Sequence, residues 1–183
     1  RRAKETMPGL SLALHGEMLT PAMEEGLREH TLDAALLRPP VAFPEIEYRT
    51  VAREPLVLAL PAGSPLDGDR PVAVHELQEH GFVVYPPESV LHRTVADLCR
   101  RSGFQPRIAQ VAGETSTLLS FVAAGGGVAV VPASVRAFQL EDVVYCEIED
   151  APEIELAVAW RREDRSVLLH NFLDLVLADR PAP

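Results

Sequence analysis

Residues 121–134 read FVAAGGGVAVVPAS, and this stretch contains the pattern that predicts the fold. Its apolar start is typical of the end of a helix, and the glycines at 125–127 stop that helix. The apolar run 128–131 is typical of a buried strand, which Pro132 closes because proline cannot donate to a sheet ladder. A helix, a tight turn and a short buried strand are therefore expected to follow one another here.

The same succession of strands and helices is predicted on both sides of this stretch. Such alternation indicates an α/β fold with mainly parallel sheets. Residues 32–37 are expected to form a central parallel strand, and Pro55 is expected to interrupt the extended stretch 45–60. Thr20, Ser89 and either Thr115 or Ser116 are expected to be helix N-caps. The other predicted strands are 10–14, 82–85, 108–111, 143–148 and 154–160, and the predicted helices are 20–29, 75–79, 89–101, 134–138 and 165–178.

Two stretches predict where the chain passes between two lobes. The first is the polar, proline-broken stretch Arg53-Glu54-Pro55, and the second is Ala159-Trp160-Arg161 at the end of a strand. We therefore expect a discontinuous first lobe, residues 1–53 plus 161–183, and an inserted second lobe, residues 54–160.

The composition excludes several classes of protein. Of the 183 residues, 47% are hydrophobic and 24% are charged, which excludes a disordered or collagen-like chain. The formal net charge of −10 has the wrong sign for gripping the phosphates of DNA or RNA, and it disfavours anionic membranes. No apolar run approaches the roughly 20 residues of a membrane span, and no apolar signal segment follows the basic start. We expect a cytoplasmic protein in which Cys99 and Cys146 are buried free thiols, with a disulfide as the alternative.

The motifs of enzymes and metal sites are absent from the sequence. The glycines at 125–127 follow a helix and precede a strand, which is the reverse of the order that cradles a phosphate. No Gly-x-Ser-x-Gly string is present, and the six histidines have no second His or Cys at the spacing of zinc ligands. The sequence therefore predicts no catalytic residue, no metal ion and no cofactor.

Residues that directly follow predicted strands are the candidate ligand contacts. In open α/β sheets, ligands bind at the carboxyl ends of the strands, where helix N-termini offer unpaired N–H groups to an anion. Arg38 ends the strand 32–37, and its guanidinium could hold a carboxylate through two parallel hydrogen bonds. His92 and Arg93 add further donors in the first turn of a helix. The full candidate set is Gly16, Glu17, Arg38, Pro39, Leu91, His92, Arg93, Glu114 and Thr115.

Three strings of the chain, in their order and spacing, resemble one family. They are LDAALLRPP at 32–40, EPLVLALP at 54–61 with Ser64-Pro65-Leu66 after it, and FVAAGGGVAVVPAS at 121–134. Together they are similar to the effector-binding domain of LysR-type transcriptional regulators, and the resemblance runs from about residue 7 to about residue 177. The subgroup that responds to aromatic compounds, with inducers of the muconate or benzoate type, is the one that it resembles most.

The resemblance implies a fold and a set of partners. The fold would be two Rossmann-like lobes, as in type 2 periplasmic binding proteins, with a small carboxylate effector between them. Two crossover strands would serve as the hinge. The domain would form a homodimer, and a tetramer in the intact protein, and DNA would be bound only through a winged helix-turn-helix that precedes this chain. No membrane would be involved. The hinge residues implied are Arg53, Glu54, Pro55, Ala159 and Trp160.

The chain departs from the family pattern in two places. Gly16 stands where the subgroup often has a hydroxyl residue that touches the inducer carboxylate, which argues against a muconate-like mode of binding. The strand and Ser/Thr-bearing loop that open the family's domain should precede the helix that ends at Met7, and they are absent. We therefore interpret the chain as a fragment that lacks part of the inducer site.

Two other functions share this kind of fold. A solute-binding protein of a transporter would have an export signal and would be a monomer. An enzyme similar to prephenate dehydratase or to a deaminase would place a proton carrier in its cleft, and Glu114 or Thr115 could have that role. Because no export signal is seen and no neighbouring group tunes either residue, the sequence favours a sensor that binds its ligand without reacting with it.

Overall fold

The computed structural model describes residues 2–178 and divides them into two compact units. Unit 1 comprises residues 2–53 and 155–178, and unit 2 is the continuous segment Glu54–Ile154. The chain therefore returns to unit 1 at Glu155, and not at Arg161 as the sequence predicts. Residues 155–160 fall in unit 1 because most of them pair with a strand of that unit.

Helices and strands alternate along much of the chain. In chain order the elements are α1 (Arg2–Thr6), α2 (Thr20–Arg28), β1 (Ala34–Leu37), β2 (Ile46–Pro61), a 3-10 helix (Val74–Leu77), β3 (Gly81–Val84), α3 (Val90–Arg101), β4 (Arg107–Val111), α4 (Thr115–Ala123), β5 (Ala129–Pro132), a second 3-10 helix (Ala133–Ala137), β6 (Val143–Glu147), β7 (Glu153–Arg161) and α5 (Val167–Ala178). The longest described helices have 12 residues, and none of the described helices has the length and apolar character needed to cross a bilayer.

The sheet of unit 1 has a helix on each face. β1 pairs antiparallel with residues 157–160 of β7. Successive side chains of a strand point to opposite faces of the sheet, and β7 shows this directly. Ala157 packs in a buried cluster with Leu27 of α2. The next residue, Val158, packs in a separate buried cluster with Leu169 of α5.

The guanidinium of Arg161 joins the end of β7 to the end of α2. Its Nη1 donates to the carbonyl oxygens of Leu27 (2.9 Å) and Leu32 (2.5 Å), and its Nη2 lies 2.6 Å from a carboxylate oxygen of Asp164. Leu27 lies in the last turn of α2, where carbonyl groups have no partner within the helix. The Arg161 side chain therefore donates a hydrogen bond to the carbonyl end of α2 and joins it to β7, the strand on which the chain returns from unit 2.

Unit 2 is built around the second half of β2. Residues 56–59 pair antiparallel with β5, and residues 57–61 pair antiparallel with β6. β3 and β4 form a parallel pair, and Phe82 of β3 is joined to Val128 by a parallel bridge. The helices α3 and α4 contribute apolar side chains to the same buried cluster as β2, β3 and β5. This arrangement brings the ends of β3 and β4 next to the starts of the helices that follow them.

Four expectations about strands are wrong. The stretch 10–14 is not a strand, since Leu12 is 43% exposed, Leu14 is 88% exposed and no described strand pairs with it. A strand needs a ladder partner as well as an alternating pattern. β1, which was expected to be a parallel strand, pairs antiparallel with β7. The sheets were also expected to be mainly parallel, but β2 pairs antiparallel with both β5 and β6, whereas β3 and β4 form a parallel ladder. Pro55 does not interrupt β2, which runs unbroken from Ile46 to Pro61.

Ser89 and Thr20, two of the three expected N-caps, have different outcomes. Ser89 is the N-cap of α3, and its Oγ accepts a hydrogen bond from the Leu91 amide at 3.2 Å, as predicted. Thr20 is not a cap: it is the first residue of α2, and Leu19 is the N-cap residue. The Thr20 hydroxyl donates to the carbonyl oxygen of Arg38 at 3.2 Å. The Thr20 hydroxyl therefore makes a tertiary hydrogen bond instead of capping the helix.

An ion pair between the loop after β2 and the first 3-10 helix makes stability depend on pH. Both guanidinium Nη atoms of Arg70 donate to the Glu76 carboxylate, at 2.8 and 2.6 Å, and the Ala73 amide donates to it at 2.9 Å. The bonds from Arg70, followed by that from Ala73, lower the pKa of Glu76 from 4.5 to about 2. A carboxyl group whose pKa is lower in the folded state stabilises the fold above its unfolded pKa. This contribution is therefore lost as the pH falls from about 5 towards 2.

We expect Arg70→Ala to reduce the loss of unfolding free energy between about pH 6 and pH 3, because Glu76 would then titrate closer to its unfolded value. Urea unfolding of both proteins at the two pH values measures this difference. Arg101→Ala, which removes an exposed guanidinium from α3, is the control and should retain the wild-type difference. An Arg70→Ala protein with the same pH dependence of stability as the wild type would show that the Arg70–Glu76 ion pair is not its cause.

Candidate functional site

The carboxyl ends of β3 and β4 meet at one edge of unit 2. The strands are parallel, and the ladder continues past them through a hydrogen bond from the Ala112 amide to the Val84 carbonyl oxygen at 2.9 Å. The helices α3 and α4 begin a few residues after these strand ends, at Val90 and Thr115. The amides of a first helical turn have no acceptor within the helix, and the helix dipole favours negative charge there. This edge of unit 2 is therefore suited to an anion.

Tyr85 connects the first turns of both helices. It directly follows β3 and is buried, with its hydroxyl 3.0 Å from Oγ1 of Thr115, the first residue of α4. Its carbonyl oxygen lies 2.8 Å from Nδ1 of His92 in the first turn of α3. The sequence predicts Thr115 and His92 as ligand contacts but gives no such prediction for Tyr85. The available signal was the position of a polar aromatic residue immediately after a buried strand.

The contact with Tyr85 determines which nitrogen of His92 carries a proton. A carbonyl oxygen can only accept, so Nδ1 of His92 must donate to it. In the neutral ring, Nε2 then has a lone pair and is an acceptor, whereas the protonated ring offers an N–H at Nε2. His92 was expected to be a donor to the ligand, but with Nδ1 occupied by Tyr85 it can donate to a ligand only through Nε2 of the cationic ring. The neighbouring residue Arg93 is exposed.

The other predicted contacts in unit 2 have different surroundings. Leu91 is buried in the core of the unit, and its amide donates to the Ser89 hydroxyl. Glu114, and not Thr115 or Ser116 as expected, is the N-cap residue of α4. It is exposed, and its carboxylate makes no capping hydrogen bond. Thr115 is half-buried, and its side chain is held by Tyr85. Of the contacts predicted in unit 2, His92 and Thr115 are thus the two that Tyr85 brings into one network.

Arg38 directly follows β1 in unit 1 and is half-buried. Its Nη1 donates to the backbone carbonyl oxygen of Glu155 at 3.3 Å, and its own carbonyl oxygen accepts from the Thr20 hydroxyl. Both contacts hold the residue at the end of the strand. Pro39 follows and is joined to Pro40 by a cis peptide bond. The predicted position of Arg38 at a strand end is confirmed, and its role as a ligand contact stays a prediction.

Gly16 and Glu17 lie in the irregular segment that precedes α2. Both residues are exposed, and Glu17 has a φ of 59°. A Cβ atom added to Gly16 would have no atom within 4 Å, so open space surrounds this glycine. The expected strand-to-helix turn is absent here because residues 10–14 form no strand. The role of these two residues as ligand contacts stays a prediction.

The two chain segments that cross between the units are tied together within unit 1. Arg53 is the last residue of unit 1 before the crossing, and Glu155 is the first after the return. The Arg53 Nε and Nη2 atoms donate to the same Glu155 carboxylate oxygen, at 3.0 and 2.5 Å, and the Thr50 hydroxyl donates to the other oxygen at 3.3 Å. The sequence analysis included Arg53 but missed Glu155 and Thr50, which no local pattern connects.

The remaining predicted hinge residues have three different positions. Glu54 begins unit 2, and its carboxylate accepts a hydrogen bond from the Ser134 amide at 2.6 Å. Pro55 continues β2 without a break. Ala159 and Trp160 are buried inside unit 1, opposite residues of β1 in the ladder. Since the ladder fixes both residues, the second crossing lies before them, between Ile154 and Glu155.

Both cysteines lie in the interior of the described part of the chain. Cys99 and Cys146 are buried free thiols, as predicted. Burial raises the pKa of Cys99 to about 11, which leaves it a protonated thiol at neutral pH and a poor nucleophile. Within residues 2–178, no three His, Cys, Asp or Glu side chains are arranged to hold a metal ion.

The chain is similar to known proteins along nearly its whole length. The family model of the LysR substrate binding domain matches residues 1–180. The HTH-type transcriptional regulator BudR of Raoultella terrigena is 33% identical over 177 residues, which are 94% of this chain and 60% of that protein. This chain therefore spans well under two thirds of the length of that relative.

Two solved structures have the same fold. The effector binding domain of BenM with its effector benzoate has a TM-score of 0.79 and 25% identity, and the match covers 100% of this chain and 86% of that one. BenM is a regulator of Acinetobacter baylyi. Full-length CbnR complexed with its target DNA has a TM-score of 0.80 and 25% identity, with 96% of this chain and 60% of that chain covered. The fold is thus that of two-unit effector-binding domains, and the match over residues 1–180 shows that the chain belongs to the LysR substrate-binding domain family.

Proposed function

We propose that this chain is the effector-sensing part of a LysR-type transcription regulator and that its effector is a small carboxylate. The observation that carries the proposal is the similarity of the whole chain to the BenM domain that was solved with benzoate, a carboxylate. The anion-binding character of the described residues supports it: Arg38 provides a guanidinium at a strand end, and α3 and α4 provide first-turn amides.

Each candidate residue then has a stated task. Arg38 pairs with the effector carboxylate through two parallel hydrogen bonds, as its planar guanidinium favours. The amides at the start of α3 and α4, with the Thr115 hydroxyl, provide neutral donors. His92 provides an acceptor for an effector hydroxyl or, when protonated, a further donor. Gly16, Glu17, Pro39, Leu91, Arg93 and Glu114 complete the proposed set of contacts.

The effector acts by shifting a conformational equilibrium. A ligand changes the populations of two conformations only to the extent that its affinities for them differ. The segments at Arg53–Pro55 and Ile154–Glu155, where the chain passes between the units, are the proposed hinge. The chain binds its effector and releases it unchanged, because its role is that of a sensor and not of an enzyme.

The intact protein is proposed to be a cytoplasmic homodimer or tetramer. It would bind DNA through a winged helix-turn-helix outside the present chain, since a net charge of −10 makes this part unsuited to contact phosphates. Full-length CbnR was solved with its target DNA, and this chain matches 60% of it, which is consistent with a DNA-binding part outside the match. The names of the relatives, which are transcription regulators, favour this function over that of a transporter's solute-binding protein.

We expect Arg38→Ala to weaken effector binding roughly 5- to 150-fold, which corresponds to a loss of about 1–3 kcal/mol for a charge-assisted hydrogen bond. The fold should persist, because Arg38 is half-buried and lies at the end of β1. Isothermal titration of the wild type and the variant with benzoate, cis,cis-muconate and acetate measures the change in Kd.

The matched control is Arg49→Ala, which removes an exposed guanidinium from β2 in unit 1. It has the same effect on net charge and should leave the Kd within about twofold of wild type, because screening weakens interactions between distant exposed charges. Equal losses in the two variants would indicate a long-range effect of charge. An unchanged Kd in Arg38→Ala would remove Arg38 from the site.

A further inference from the structure

We propose that Tyr85 is a positioning residue for effector binding: its hydroxyl orients the Thr115 hydroxyl so that Thr115 donates a hydrogen bond to the effector carboxylate. The proposal rests on the proposed function of the preceding section. It adds a residue that the sequence analysis did not include and specifies which atom of unit 2 contacts the charged end of the effector.

The placement of Tyr85 depends on its backbone as well as on its ring. The residue directly follows β3, and its side chain is only 7% exposed within the core of unit 2. Its carbonyl oxygen accepts from His92 at 2.8 Å, which anchors the backbone to the first turn of α3. Its hydroxyl lies 3.0 Å from Thr115 Oγ1 at the start of α4. Burial and these two contacts keep the phenol next to Thr115.

The chemistry of the two hydroxyls favours one direction for the hydrogen bond between them. A phenol, with a pKa near 10, is a stronger acid than an aliphatic alcohol and is the better donor. With Tyr85 as the donor, the Thr115 O–H is left to donate to an acceptor outside the pair. Hydrogen bonds in such a chain polarise one another, so the Thr115 hydroxyl becomes a stronger donor than it would be alone.

The surroundings of Thr115 favour a carboxylate as that acceptor. Thr115 is the first residue of α4, a helix of nine residues, and the amides of the first turn lack acceptors within the helix. The dipole of the helix stabilises negative charge at this end. A hydrogen bond from a hydroxyl to an ionised oxygen is stronger than one to a neutral oxygen. The pair of hydroxyls therefore favours an acid over a neutral ligand.

The test is a double-mutant cycle in the 183-residue chain, with Tyr85→Phe, Thr115→Val and both together. Kd is measured by isothermal titration for acetate, benzoate and cis,cis-muconate. We expect Tyr85→Phe to raise the Kd of the acids that bind about 3- to 10-fold, the usual scale for one hydrogen bond. In the Thr115→Val background the same substitution should change the Kd by less than about twofold, because the group through which Tyr85 acts is gone.

The matched control is Tyr145→Phe, which also removes a phenol hydroxyl from unit 2. That hydroxyl donates to the Phe138 carbonyl oxygen at 2.8 Å and contacts neither α3 nor α4 by a hydrogen bond in the described residues. Tyr145→Phe should leave the Kd unchanged, and melting temperatures of all variants show whether the fold is preserved. A loss in Tyr85→Phe that persists in the Thr115→Val background would reflect a general structural role and overturn the proposal.

Two further outcomes separate this proposal from the proposed function. If the wild type binds at least one of the acids and Tyr85→Phe binds it equally well, the positioning role is wrong while carboxylate sensing stands. If none of the three acids binds the wild type, carboxylate sensing fails for these probes, and the role of Tyr85 is overturned with it.

Discussion

Replacing Val122 with aspartate should unfold unit 2. Val122 is fully buried in α4, within the cluster that also contains residues of β2, β3 and β5. An aspartate there would place a carboxylate among apolar side chains with no cation to pair with it, and such a buried charge costs about 4 kcal/mol or more. That loss is a large part of the stability of a typical domain. Denaturant unfolding followed by circular dichroism measures it.

The control for this prediction is Thr117→Asp, which introduces the same charge at an exposed position of α4. It should be close to neutral, because a carboxylate near the start of a helix interacts favourably with the helix dipole. Trp160, the single tryptophan of the chain, is buried in unit 1 and reports on that unit by fluorescence. A Val122→Asp protein that melts cooperatively at the wild-type temperature would contradict the position of α4 in the core.

Gly127→Ala should destabilise unit 2 by about 3 kcal/mol. Its φ is +146°, a conformation that residues with a Cβ rarely adopt, and a Cβ atom there would lie only 2.4 Å from the carbonyl oxygen of Gly81 in β3. The obstructing carbonyl oxygen belongs to the backbone, so it cannot move aside as a rotatable side chain could. The Val128 amide donates to that same oxygen at 2.8 Å, and separating the two segments would also stretch this hydrogen bond. Strain and overpacking each cost about 1–3 kcal/mol.

The control is Gly68→Ala, in the loop after β2, where a Cβ atom would meet nothing within 4 Å. Its unfolding free energy should stay within about 1 kcal/mol of wild type. The comparison is made by urea unfolding of the three proteins. Equal stability of Gly127→Ala and the wild type would show that the close approach of β3 and the glycine run is not required. Gly127 thus has a packing reason in its close approach to Gly81 of β3.

Local patterns predicted those parts of the fold that local interactions determine. The helix from Ser89 to about Arg101 was predicted with its cap, because the capping hydrogen bond joins residues two apart in sequence. The prediction of a strand at 10–14 was wrong for the opposite reason. The alternation of apolar and polar residues is real, but a strand forms only if another strand pairs with it. The Thr20 hydroxyl bonds to Arg38, a contact that no capping rule anticipates.

Prediction of the candidate site is limited in the same way, because contacts between residues distant in sequence leave no local pattern. Arg38 was found because it ends an apolar run that is itself the signal of a strand. Tyr85 was missed because its significance depends on Thr115, thirty positions later, and Glu155 because its partner Arg53 is about a hundred positions earlier. The second crossing was placed at Ala159-Trp160-Arg161, since a strand end is visible in the sequence whereas a change of unit in the middle of a strand is not.

The pairing of β1 with the end of β7 has a consequence for how the protein is made. Residues 34–37 leave the ribosome long before residues 157–160, their ladder partners. All of Glu54–Ile154 is synthesised in between, as one uninterrupted piece with its own hydrophobic core. Folding during translation, which proceeds from the amino end, therefore completes the inserted unit first. The part of unit 1 that is made earlier, including Leu37, lacks this ladder partner until residues 157–160 have been synthesised.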